Sequence, residues 1–133
     1  MPVVDASVAV KWFVGEPDSP AAHHLLELHG RGQVPLVAPD LLIYEVANAL
    51  LHNPTFTAER VQQSIERLYE LELELIAPSA EVVTEAVALA SSKRLSFYDA
   101  LYVQLARHLE LPLYTADRKL IAKLHDIPLV KSL

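Results

Sequence analysis

Five short apolar runs frame this chain: PVVDA (2–6), VPLVA (34–38), LELIA (73–77), LPLYTA (111–116) and IPLV (127–130). Each is too short for a stable helix but suits a strand buried on both faces. Longer stretches with helical spacing separate them. SVAVKWF turns as a helix after the first run, with Ser7 near its start. GEPDSP (15–20) reads as loop punctuation. AAHHLLELHG (21–30) predicts an amphipathic helix closed by Gly30. Pro39-Asp40 opens a helix that runs to about position 52, and AERVQQSIERLYEL (58–71) repeats Val61, Ile65, Leu68 and Tyr69 at helical intervals. SAEVVTEAVALASS (79–92) has Ser79 as its cap, and further helices are expected over 97–109 and 117–124. Short buried strands alternating with helices predict an α/β fold, with a mostly parallel central sheet of about four to five short strands and helices on both faces. A length of 133 residues suits one domain, and no linker, repeat or low-complexity tract divides it.

Composition narrows the chemistry. There is no cysteine, so neither a disulfide framework nor a thiolate metal site can form, which suits a reducing cytoplasm. The start, MPVVDAS, lacks the basic region and apolar run of a signal peptide. No run of apolar residues is long enough to span a membrane. With only 3 glycines, neither GxGxxG nor GxxxxGK[ST] occurs, and the common nucleotide-cradling loops are excluded. The net charge of -6 argues against a protein that coats DNA generically, although a locally basic rim can still serve an acidic site.

Four of the 17 acids stand where charges are costly. Asp5 ends the first apolar run. Asp117 follows LYTA. Glu45 lies within LLIYEVANALL, and Asp99 within FYDALYVQLA. In open parallel sheets, ligands bind beyond the carboxyl ends of strands, and all four acids can reach that edge. Taken singly, each has an ordinary explanation. Asp5 and Asp117 could cap the helices that follow them. Glu45 shares a polar stripe with Asn48 and His52 that could face water. Asp99 could sit near a helix start because the dipole favours it there. As a set they demand compensation, because a buried unpaired ion costs several kcal/mol even after relaxation. The apolar segments offer almost no cation besides Lys11. A divalent cation would compensate, and all-carboxylate ligation suits Mg²⁺ or Mn²⁺ over Zn²⁺ or Cu²⁺.

Other signals are weaker. The six histidines form no HExxH or other metal spacing, and no GxSxG is present. SSKR (91–94) and DRKLIAK (117–123) bring Lys93, Arg94, Arg118, Lys119 and Lys123 beside two of the four acids, either as a positive rim for a polyanion or as ordinary solvated helix ends. A mean hydropathy of +0.23 predicts apolar surface covered by self-association or a partner, with the helices at 40–52 and 58–71 as its source.

VVDASVAVKWF, APDLLIYEVANALL, SFYDALYVQLA and LPLYTADRKL together resemble, in order and spacing, the motifs of PIN-domain ribonucleases, and more narrowly the VapC-type toxins of toxin–antitoxin pairs. The resemblance covers the chain from Val3 to about Val130 and implies a single PIN domain over 1–133. It implies that Asp5, Glu45, Asp99 and Asp117 form an acidic quartet binding Mg²⁺ or Mn²⁺, with Asp5 and Asp99 holding the ion and Glu45 and Asp117 acting directly or through water. Ser7 and Thr115 match supporting hydroxyls in D-x-S and T-x-D, and Asn48 the asparagine of E-x-x-N. Many PIN domains carry a further acid two residues after the fourth, where this chain has Lys119. The resemblance also implies an RNA substrate, a homodimer and a cognate antitoxin. The rim expected to meet RNA comprises Lys11, Lys93, Arg94, Arg118 and Lys119. Two rival readings stand beside it. One is a PIN-like binding module without catalysis. The other is an aspartyl-phosphate phosphatase, which would place a second acid where this chain has Ser7.

Overall fold

The computed structural model describes residues 1–133. Five strands form one sheet: β1 (Val3–Val4), β2 (Val37–Pro39), β3 (Glu74–Ile76), β4 (Leu113–Thr115) and β5 (Val130–Ser132). Their order is β3-β2-β1-β4-β5, and every neighbouring pair is parallel. β1 is central, with Val3 opposite both Val37 and Leu113. Val3 and Val4 point to opposite faces, and both are fully buried. The sheet is therefore covered on both sides, which explains why its strands read as continuous apolar runs.

Seven helices fill the connections: α1 (Ala6–Val10), α2 (Ser19–Gly30), α3 (Leu41–Leu51), α4 (Ala58–Glu70), α5 (Ala80–Lys93), α6 (Phe97–Leu109) and α7 (Arg118–Lys123). α6 packs on β1, β2 and β4 and is backed by α5, while α3 packs between α1 and α4. Six of the thirteen residues of α6 are buried, including Tyr102, Leu101 and Leu105, so this helix is the main link between sheet and outer layer. Hydroxyl caps begin three helices. Thr57 accepts the Arg60 N–H at 3.1 Å, Ser79 that of Val82 at 3.3 Å, and Ser96 that of Asp99 at 3.1 Å. No helix is long and apolar enough to cross a membrane.

The structure departs from the sequence-based expectation in small ways. α2 starts at Ser19, with Pro20 in its first turn, where a missing N–H costs nothing. Gly30 is its last helical residue, and Gly32 supplies the left-handed conformation that reverses the chain, at φ +71°. β5 forms at 130–132 rather than 127–130, because Tyr114 and Thr115 pair with Lys131 and Ser132. Exposed apolar side chains do come from α3 (Tyr44, Leu51) and α4 (Tyr69), but also from α5 (Val83, Val87) and α6 (Tyr98).

Candidate active site

The strand order reverses between β1 and β4, so their outgoing loops diverge and leave a crevice beyond the carboxyl ends of both strands. Asp5 leaves β1 there, and Thr115 and Asp117 leave β4. Asp5 is the N-cap of α1, its backbone extended, with Oδ1 accepting the Val8 N–H at 3.3 Å. The Ser7 hydroxyl donates to the same oxygen at 2.5 Å. Ser7 Oγ also lies 3.2 Å from Thr115 Oγ1 and accepts the Ala116 N–H at 2.9 Å. Thr115 Oγ1 accepts the Asp117 N–H at 3.1 Å. Asp117 caps α7, its Oδ1 accepting from the N–H groups of Lys119 and Leu120 at 3.0 and 3.2 Å. Asp5, Ser7, Thr115 and Asp117 thus form one hydrogen-bonded chain across the β1/β4 edge. Capping is real for both aspartates, but only one oxygen of each takes part.

Glu45 and Asp99 complete the set from the helices. Burial pushes the Asp5 carboxyl up; the Ser7 and Thr115 hydroxyls and the Val8 N–H pull it partly back, and the Asp99 charge adds to the rise. Burial likewise raises Glu45, with Tyr102 opposing and Asp99 and Asp5 adding. Asp99 is raised by burial, lowered by Ser96, raised again by Asp117 and eased by Lys123. Asp99 therefore feels or is felt by each of the other three acids. Like charges held close together in a partly dry site account for all these directions.

Tyr102, three residues after Asp99 on α6, went unremarked in the sequence. Its phenol is close enough to Glu45 to influence that carboxyl, and burial beside these acids pushes its own pKa up. Yet neither the Tyr102 hydroxyl nor Glu45 Oε1 has a hydrogen-bond partner of ordinary geometry, although both are buried. The only prior signal was a phenol one helical turn from Asp99 in an otherwise apolar helix.

A cleft of about 430 Å³ opens beside this cluster, its lining including Ser7, Lys11, Glu16, Glu45, Asn48 and Ala116. Asp5, Asp99 and Asp117 do not line it. Asn48 is exposed at its wall. Lys11, expected on an open rim, is instead buried, with Nζ held by Glu16 at 2.5 Å and Asp18 at 2.6 Å. The sequence hid this because both acids lie in a segment that reads only as a loop. Lys93 pairs with Asp126, and Lys123 Nζ donates to the Arg94 carbonyl at 2.9 Å. Arg118 and Lys119 are exposed at the start of α7.

The donor set fits a hard divalent cation. It offers carboxylate oxygens only, one of them buried and unpartnered, and no lysine or arginine pairs with any of the four acids. As the side chains stand, no three Asp, Glu or His groups are close enough to grip an ion.

A parallel α/β fold with acids at the carboxyl ends of its strands defines an open-sheet protein whose ligand site lies at the topological switch point. The sequence matches the PIN domain family over residues 3–129, and the chain belongs to that family. It is 35% identical over 129 residues to Ribonuclease VapC3 of Pyrobaculum aerophilum, covering 91% of this chain and 92% of that protein. Among solved structures, PAE2754 of Pyrobaculum aerophilum superposes with a TM-score of 0.67 at 26% identity, over 91% of this chain and 84% of that one. Two others share the fold at lower identity. A toxin–antitoxin complex from Klebsiella pneumoniae gives a TM-score of 0.71 at 18% identity, over 98% and 96% of the chains. VapC20 of Mycobacterium tuberculosis, described as a sarcin-ricin loop cleaving toxin, gives 0.73 at 14%, over 92% and 94%.

Proposed function

We propose that this chain is a metal-dependent endoribonuclease, the toxin of a toxin–antitoxin pair, with residues 1–133 acting as one PIN domain. The observation that carries the reading is the placing of four carboxylates around the β1/β4 crevice, where the Asp99 charge raises Asp5 and Glu45 and the Asp117 charge raises Asp99, with no cation paired to any of them. The similarity to Ribonuclease VapC3 supports RNA as substrate, and the likeness to a toxin–antitoxin complex supports a protein antitoxin as partner.

In this reading Asp5, Glu45, Asp99 and Asp117 would hold Mg²⁺ or Mn²⁺, which would supply an activated water and charge neutralisation at the phosphoryl oxygens. The chain's own part is positioning. Ser7 and the Val8 N–H fix Asp5 by Oδ1, while Thr115 ties the Asp117 backbone to the same network. Asn48 presents an amide at the cleft wall. Arg118 and Lys119, with Lys93 and Arg94, supply a basic rim for the RNA backbone. The protein works in the cytoplasm as a homodimer, using exposed apolar side chains such as Tyr44 and Leu51 for association.

The decisive experiment is RNA cleavage by the purified chain with Mg²⁺ or Mn²⁺, against Asp5→Asn and against EDTA. Loss of cleavage in both, with circular dichroism unchanged, is the expected result. Full activity in either rules the mechanism out.

A further inference from the structure

Lys11 is the only cation lining the cleft that also holds Glu45, and it is buried. A lysine in that place is a natural internal counter-ion for unpaired carboxylates, since its flexible stem carries a compact charge. It is not used that way. Its Nζ is taken by Glu16 and Asp18, whose side chains are 43% and 47% exposed and so need a partner less than Glu45 does. The loop carrying those acids is braced. Ser19 Oγ accepts the Glu16 N–H at 2.8 Å and donates to the Val14 carbonyl at 2.8 Å. Trp12 Nε1 donates to the Ala22 carbonyl at 2.9 Å, fastening α1 to α2 on either side of the loop. Asp18 also feels the charge of Arg118. Glu45, raised by burial and by the Asp99 and Asp5 charges, makes no ion pair with Lys11.

We propose that Glu16 and Asp18 form a tether that holds the Lys11 ammonium off the Glu45 carboxylate, keeping the acidic site free for a divalent cation. This rests on the cation-binding reading of the site given above. Without the tether, the Lys11 ammonium would be free to pair with Glu45 in the cleft they share, as an internal competitor for the cation. Lys11 is thus a masked inhibitor of its own site, and Glu16 and Asp18 are positioning residues.

The test is calorimetric titration of the metal-free full chain with MnCl₂. Glu16→Gln/Asp18→Asn should weaken Mn²⁺ binding by about tenfold or more, and adding Lys11→Met to that pair should restore most of the affinity. Affinity unchanged in the double variant overturns the proposal. So does an equal loss in double and triple variants, because the effect would then be the loss of two negative charges rather than release of Lys11. If the double variant does not fold, Glu16→Gln alone should weaken binding by about threefold, and no change overturns the idea. A crystal structure of the metal-free variant gives an independent readout. Lys11 Nζ bonded to Glu45 supports the tether, and Lys11 pointing elsewhere defeats it even if the unaltered chain binds no Mn²⁺. That last outcome in the unaltered chain would count against the metal-site reading itself.

Discussion

The Ser7 hydroxyl on α1 lies 3.2 Å from the Thr115 hydroxyl at the end of β4, although 108 residues separate them in the chain. Ser7 also donates to Asp5 and accepts from the Ala116 N–H, and Thr115 accepts from the Asp117 N–H. Two hydroxyls therefore fix the two aspartates that leave neighbouring parallel strands.

Removing that link should cost both stability and site geometry. Ser7→Ala leaves the Ala116 N–H and Asp5 Oδ1 short of a partner, a loss of about 1–3 kcal/mol. Thermal unfolding should fall by several degrees, and Mn²⁺ affinity should fall with it. A variant that melts with the unaltered chain would show that water replaces the hydroxyl without cost.

Asp99→Asn should act in opposite directions on stability and function. Asp99 is raised by burial and by Asp117, and its charge adds to the strain on Asp5 and Glu45. Neutralising it should raise the melting temperature of the metal-free protein by about 2–4 °C, roughly 1 kcal/mol. The upward shift that Mg²⁺ or Mn²⁺ gives the unaltered chain should disappear, and RNA cleavage should be lost. Differential scanning calorimetry with and without metal reads both effects.

The pH dependence has a definite sign. Asp5, Glu45 and Asp99 have folded pKa values above their ordinary 3.8, 4.5 and 3.8, so the folded state binds more protons than the unfolded chain in that interval. Their ionisation costs stability at neutral pH, and that cost fades as pH falls through the raised values toward the ordinary ones. Metal-free protein in EDTA should therefore gain stability on mild acidification from pH 7. Asp18 and Asp126, held low by Lys11 and Lys93, work the other way, but they are exposed, and their contribution is lost only at more acid pH. The combined variant Asp5→Asn/Glu45→Gln/Asp99→Asn should flatten the rise in denaturant melts. A metal-free protein whose stability falls steadily from pH 7 would contradict this account.

Tyr102→Phe removes a buried hydroxyl that lies beside Glu45 without a hydrogen bond of ordinary geometry. Deleting such a group should leave the fold unchanged or more stable by about 1 kcal/mol, where removing a bonded one would destabilise it. A drop in urea midpoint of the size expected for a lost hydrogen bond would mean that the phenol is satisfied in solution, with Glu45 as its partner.

Much of this was legible in the chain. The alternation of short apolar runs with helical segments identified seven helices and four of the five strands in place, because strands buried on both faces must read as unbroken apolar runs; the fifth strand was expected three residues early. The local roles of Asp5 and Asp117 as caps were also visible, since capping is decided within three residues. Other features were out of reach. That Glu45 faces Tyr102 and Asp99 depends on how α3 and α6 pack over the sheet. That Lys11 turns to Glu16 and Asp18 depends on the path of a loop braced by Ser19 and Trp12. Where the last strand pairs depends on β4 and not on its own apolar run.

The sequence by itself determined the order of the elements, the caps at Asp5, Ser79 and Asp117 and the presence of four carboxylates at strand ends and in apolar helices, because periodicity and capping act over a few residues. Tertiary structure decided which charges meet. It brought Asp99 within reach of the charges of Asp5, Glu45 and Asp117, joined Ser7 to Thr115 across the β1/β4 edge and paired Lys11 with Glu16 and Asp18. Electrostatic partners are chosen by distance in space and by burial, and neither is fixed until the helices have packed on the sheet.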